Sequence, residues 1–244
     1  MKTVYLHIGT HKTGSTSIQR WLHDNKTLLS QNGHDIYQGI HRPDNHVELY
    51  LSTMRPERDS FAKLKRPEIS FDDAYTRSVS DKVRSFIAGS TANHLVFTSE
   101  GLSLLRHPDE LERLKTLIGS DYDAIRIILV LRDKATFLDR YRKQLLQKKG
   151  RKPSTDYWSC LYVEDDTWLT DYEALIQVYA DAFGRENLHI IDYDKQPDIL
   201  PALIQAIGIP PSSMPAQTAA NYRFKSSAAK KSRLGTKLWK RLTR

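Results

Sequence analysis

The chain contains a single cysteine, Cys160, among 244 residues. A lone thiol excludes an internal disulfide and any cluster of cysteine metal ligands, and it agrees with a reducing compartment. Glycine and proline, at 11 and 10 residues, are ordinary in number, which excludes collagen-like and low-complexity chains. No period of 20 to 50 residues recurs, so a solenoid is excluded too. Long apolar runs are also missing. The amino-terminal run Val4-Tyr5-Leu6-His7-Ile8 is broken at once by Gly9 and His11, too soon for a signal peptide or a membrane span, and a cytoplasmic protein is expected.

Charge is abundant but unevenly placed. Lys and Arg number 37 against 29 acids. Nine of those bases, from Arg223 to Arg244, lie in a terminal stretch without one acid, which leaves 28 bases against 29 acids elsewhere. The basic excess therefore belongs to the tail, and no nucleic-acid partner is expected of the body. Within that tail Leu234, Leu238, Trp239 and Leu242 fall at helical spacing opposite Lys230, Lys231, Arg233, Lys237, Lys240 and Arg241. This is a basic amphipathic pattern, suited either to docking on the domain or to an anionic membrane surface or polyanion. The organisation expected is one domain over residues 1–220 and a basic tail over 221–244, with peripheral membrane association as one outcome.

The domain reads as alternating strands and helices. Strands are expected at residues 2–8, 94–98, 125–131 and 188–191, and helices at 15–29, 70–87, 108–117, 135–147, 171–183 and 199–207. Ser70 with Asp73 reads as a capping box, and Pro108 suits the first position of a helix. Residues 55–70, charged and interrupted by Pro56 and Pro67, read as a surface loop able to form a lid. The fold class that follows is α/β: three layers, a mostly parallel central sheet with helices on both faces, and a ligand crevice at the carboxyl ends of the strands.

Gly9-Thr10-His11-Lys12-Thr13-Gly14-Ser15-Thr16 joins the first strand to the first helix. Backbone N–H groups and a helix dipole should converge there on an anion. It is not a Walker A loop, because Ser15 stands where that motif needs lysine and Lys12 lies inside the loop. The bland alternative is a glycine turn in which Ser15, Thr16 and Ser17 cap the helix.

The run His7-Ile8-Gly9-Thr10-His11-Lys12-Thr13-Gly14-Ser15-Thr16-Ser17-Ile18-Gln19 resembles the 5′-phosphosulfate-binding loop of sulfotransferases, in the form of bacterial carbohydrate-type members. The resemblance extends to about residue 210 and implies a P-loop-like fold and 3′-phosphoadenosine 5′-phosphosulfate (PAPS) as donor, with no metal. It implies that Lys12 stabilises the leaving phosphate while Thr13, Gly14, Ser15, Thr16 and Ser17 cradle it. The family's 3′-phosphate element, an Arg at a strand end with a Ser on the following helix, corresponds to Arg132. Arg140 stands in place of that Ser, where a guanidinium can bind the same phosphate. By the same resemblance Glu100, in Thr98-Ser99-Glu100, is the first choice for the base that takes the acceptor proton, and His46 is the second. Ser99 either touches the acceptor or caps the turn.

The activity implied is transfer of a sulfuryl group to a hydroxyl of a carbohydrate or glycolipid. Two rivals remain: a P-loop kinase using Mg·ATP with Asp133 or Glu100 as metal-binding acid, and a membrane- or polyanion-binding module acting through the tail. Tyr157 and Trp158 suit either stacking on a sugar ring or burial in the core.

Overall fold

The computed structural model describes residues 1–146 and 151–210. The expected tail and its boundary at residue 220, and the last residue of the helix expected over 135–147, lie outside the described residues. A sheet of five parallel strands runs through the middle, in the order β2-β3-β1-β4-β5. The strands are β1 (Thr3–His7), β2 (His34–Ile36), β3 (His94–Thr98), β4 (Ala124–Leu131) and β5 (Leu188–Asp192). β1 alternates between two cores. Val4, Leu6 and Ile8 join the larger one, whereas Tyr5 joins the smaller.

Helices cover both faces. On the smaller side lie α1 (Ser15–Asp24), α2 (Lys26–Gln31) and, near the end of the described chain, α8 (Ile199–Ala206). The larger side is built by α3 (Glu48–Leu51), α4 (Asp73–Gly89), α5 (Pro108–Ile118), α6 (Lys134–Leu146) and α7 (Tyr172–Phe183). The α/β three-layer reading therefore holds, with a sheet that is parallel throughout.

Three local expectations are corrected. The helix expected over residues 15–29 is two helices, because both the backbone N–H and the side-chain Nδ2 of Asn25 bind the carbonyl of Trp21 and turn the chain at φ −109°, ψ 33°. The cap of α4 is Asp72 rather than Ser70: its Oδ1 accepts from the Tyr75 N–H at 3.0 Å. Residues 55–70 are a surface loop only in part: Pro56, Glu57, Leu64, Lys65, Pro67, Glu68 and Ser70 are exposed, but Arg58, Ser60, Phe61 and Ala62 are buried and anchor its middle. Arg58 pairs with the fully buried Glu110 at 2.7 Å and lies over the Trp168 ring. The short β2 and α3 were not expected, being only three and four residues long.

Because all strands point the same way, every strand end delivers its loop to one edge of the sheet. β1 sits between β3 and β4, and the chain fills one side of β1 before crossing to the other. This reversal opens a crevice between the loops after β1 and β4. The loop after β1 continues along β4, through Ile8 N–H to Ile128 O and Thr10 N–H to Val130 O.

Candidate functional site: an anion-binding edge of the sheet

The loop after β1 is held open as a cradle by its own backbone. Gly14 caps α1 at φ 77°, ψ 9°, without a side-chain hydrogen bond to the helix; the Ser17 N–H donates to Gly14 O at 2.9 Å, and the N–H groups of Ser15 and Thr16 are left for a ligand. Lys12 is the one described non-glycine residue at positive φ, 69°, a conformation that costs an L residue energy and is kept where the surroundings impose it. Thr13 is fully buried and its hydroxyl donates to Thr10 O at 2.6 Å; that hydroxyl serves the loop, and the backbone N–H is what remains for an anion. Ser15 is buried, Ser17 half-buried and Thr16 exposed.

Arg132 leaves the end of β4 and is 3 % exposed. Its Nη1 donates to the Lys12 carbonyl, its Nε lies 3.6 Å from Asp194 Oδ1, and its guanidinium stacks 4.6 Å over Tyr193. Neither Nε nor Nη2 has a hydrogen-bond partner. A buried guanidinium with unsatisfied donors is expensive unless a ligand completes it. The neighbouring Asp133 serves the helix: its Oδ1 caps α6 by accepting from the N–H and hydroxyl of Thr136.

Arg140, two turns along α6, faces the same place. It lowers the proton affinity of both Lys12 and Arg132, in each case after burial as the larger cause. Arg140 makes no ion pair among the described residues. Three cations thus converge, with Glu100 opposing the charge of Lys12 and Asp194 that of Arg132. A multiply charged anion bound there would relieve that repulsion and raise the proton affinity of Lys12.

Glu100 opens a 3-10 turn, Glu100–Leu104, directly after β3. Its carboxylate accepts from Gln19 Nε2 at 2.5 Å and from Asn45 Nδ2 at 3.1 Å, and it raises the proton affinity of Lys12. Asn45 in turn accepts from the Ser99 hydroxyl at 3.2 Å. Gly101 lets the Tyr50 ring lie against the backbone, where an added Cβ would stand 1.9 Å from a ring carbon.

His46 is fully buried. Its Nδ1 accepts from the Thr98 N–H at 3.0 Å, its own N–H donates to Thr98 O at 3.0 Å, and burial pushes the imidazole down to about 3. The ring is a neutral clamp at the end of β3, edge-on to Tyr37 at 4.9 Å. His7 is similarly buried, bonded through Nδ1 to the Thr98 hydroxyl at 2.8 Å, and held down to about 4 chiefly by desolvation.

The structure therefore brings Lys12, Thr13, Gly14, Ser15, Ser17, Arg132, Arg140 and Glu100 to one edge, with His46 behind it. Two residues that sequence reasoning missed complete the arrangement, Gln19 and Asn45. The available signal for Gln19 was a polar side chain inside the apolar stripe Ile18, Trp21, Leu22. Among the described residues no group of three or more His, Cys, Asp or Glu is placed to hold a metal ion, and no helix is long and apolar enough to cross a membrane.

This architecture is that of the P-loop-like α/β proteins with the sulfotransferase fold. The chain is similar in structure to a sulfotransferase from Alicyclobacillus acidocaldarius, with a TM-score of 0.56 and 16 % sequence identity, over 91 % of this chain and 90 % of that one. At that identity the likeness shows the fold. No protein-family model matches the chain, and no curated protein matches it.

Proposed function

We propose that the protein is a sulfotransferase that uses PAPS and transfers its sulfuryl group to a hydroxyl of a carbohydrate or glycolipid. The observation that carries this reading is Arg132: a buried guanidinium with two unsatisfied nitrogens, bonded to the loop that bears Lys12. One phosphate on Arg132 and Arg140, and a second on the loop and the first turn of α1, match a nucleotide with phosphates at both its 3′ and 5′ positions.

The chemistry divides between two sides. The acceptor O–H bond breaks and its proton passes to Glu100, while the acceptor oxygen bonds sulfur. The sulfur–oxygen bond to the 5′-phosphate breaks, and its electron pair stays on that oxygen, giving 3′-phosphoadenosine 5′-phosphate. Lys12 and the N–H groups of the loop stabilise this leaving charge. General-base assistance of this kind contributes about 10²- to 10⁴-fold in rate, and positioning contributes the rest. His46, clamped to Thr98, acts by holding Asn45 in place and not as the base.

A kinase using Mg·ATP fits less well, since Ser15 occupies the position of the Walker lysine and Asp133 is committed to capping α6. The tail, residues 221–244, is assigned the task of bringing a cytoplasmic enzyme to an anionic membrane surface where a lipid-linked acceptor lies.

Calorimetric titration of the metal-free protein with 3′-phosphoadenosine 5′-phosphate, beside ATP with and without Mg²⁺, tests the donor. The bisphosphate is expected to bind without metal, and Arg132→Ala to weaken it by at least about tenfold. Preference for Mg·ATP would overturn the reading.

A further inference from the structure

The two oxygens of Glu100 are not equivalent. Oε2 accepts from Gln19 Nε2 at 2.5 Å and from Asn45 Nδ2 at 3.1 Å, whereas Oε1 has only the longer 3.4 Å contact to Asn45. Asn45 is 4 % exposed, and its own oxygen receives the Ser99 hydroxyl, which fixes which end of the amide faces Glu100. Gln19 is 1 % exposed and lies one turn beyond Ser15 on α1. A buried amide among Ile18, Trp21 and Leu22 is costly unless hydrogen-bonded, and the bond it makes crosses from α1 to the turn after β3.

We propose that Gln19 is a positioning residue for the base: it pins Oε2 so that Oε1 receives the acceptor proton, and it ties Glu100 to the helix whose N-terminus holds the donor. The inference rests on the sulfuryl-transfer reading. Gln19 thus acts on Glu100 by orientation: with Oε2 occupied by two amide donors, Oε1 is the oxygen left for the acceptor proton.

The test follows the carboxyl carbon of Glu100 by ¹³C NMR in glutamate-labelled protein, with Glu100→Gln to assign its resonance. Bisphosphate affinity is measured on the same samples. In Gln19→Met, affinity is expected to stay within about twofold of wild type while the Glu100 carboxyl resonance, recorded at one fixed pH, moves because Oε2 has lost its Gln19 donor. Gln19→Glu, nearly isosteric and the reserve should the first variant not fold, removes the same donor and is expected to move the resonance too. An unchanged resonance in a folded variant that still binds the bisphosphate overturns the role of Gln19 alone. Wild-type protein that fails to bind the bisphosphate overturns the underlying reading instead, whatever Glu100 does.

Discussion

Lys12 carries a conflict between stability and function in a single side chain. Its backbone is left-handed at φ 69°, and its ammonium is half-buried beside Arg140. Both features oppose folding, the first by about 1 kcal/mol or more. Lys12→Gly removes both at once, since glycine adopts this conformation freely. The variant is expected to gain about 1 kcal/mol in urea unfolding and to lose about tenfold or more in affinity for 3′-phosphoadenosine 5′-phosphate. A loss of stability would show that the lysine is held there for packing rather than for an anion.

At the scale of elements, α5 is the anchor for the wall beside the loop. The Glu110 carboxylate, fully buried in the first turn of α5, accepts from the backbone N–H groups of Arg55 and Arg106 and from the Arg58 guanidinium. That network draws residues 55–62 inward, and Phe61 then packs 6.3 Å from the His11 ring in the loop after β1. Glu110→Ala leaves the Arg58 charge buried without its partner, a loss of about 3–5 kcal/mol. Chemical denaturation measures it directly, and a loss below about 1 kcal/mol would mean that the pair is dispensable. Pro108 announced the start of α5, but nothing in the charged run 55–70 announced the burial of Arg58, Ser60, Phe61 and Ala62. An ion pair between distant segments has no sequence period, whereas an apolar stripe has one.

The whole molecule carries its pH response in its buried imidazoles. Burial holds His7 at about 4 and His46 at about 3 in the folded state, against about 6.5 in the unfolded chain. Both contribute full stability above about pH 6.5. As pH falls from there toward about 4, the unfolded chain takes up protons that the folded one refuses, so stability declines. The slope is about 1.4 kcal/mol per pH unit for each histidine. Urea unfolding across that range is expected to show this decline, to which His11, His41, His94, His107 and His189, also lowered by burial, add, and His46→Asn, which keeps an acceptor facing Thr98, to make it shallower by about 1.4 kcal/mol per pH unit. A flat profile in wild type would contradict the neutral clamp at the end of β3.

Sequence alone determined the alternation of strands and helices, because β4 is a continuous apolar run and α4, α5 and α7 carry amphipathic periods that survive any packing. It also made the candidate loop legible, since its glycines, lysine and hydroxyls are contiguous, and the resemblance to sulfotransferases marked Arg132 and Glu100, each just after a strand. Tertiary structure decided what these residues do together. Only the parallel order, with β1 between β3 and β4, puts Lys12, Arg132 and Glu100 at one edge, although they are up to 120 residues apart in the chain. Only packing shows that Gln19 faces Glu100 and that His46 clamps Thr98. Contacts between distant segments depend on how the sheet is ordered, and that order is a property of the assembled fold rather than of any local stretch.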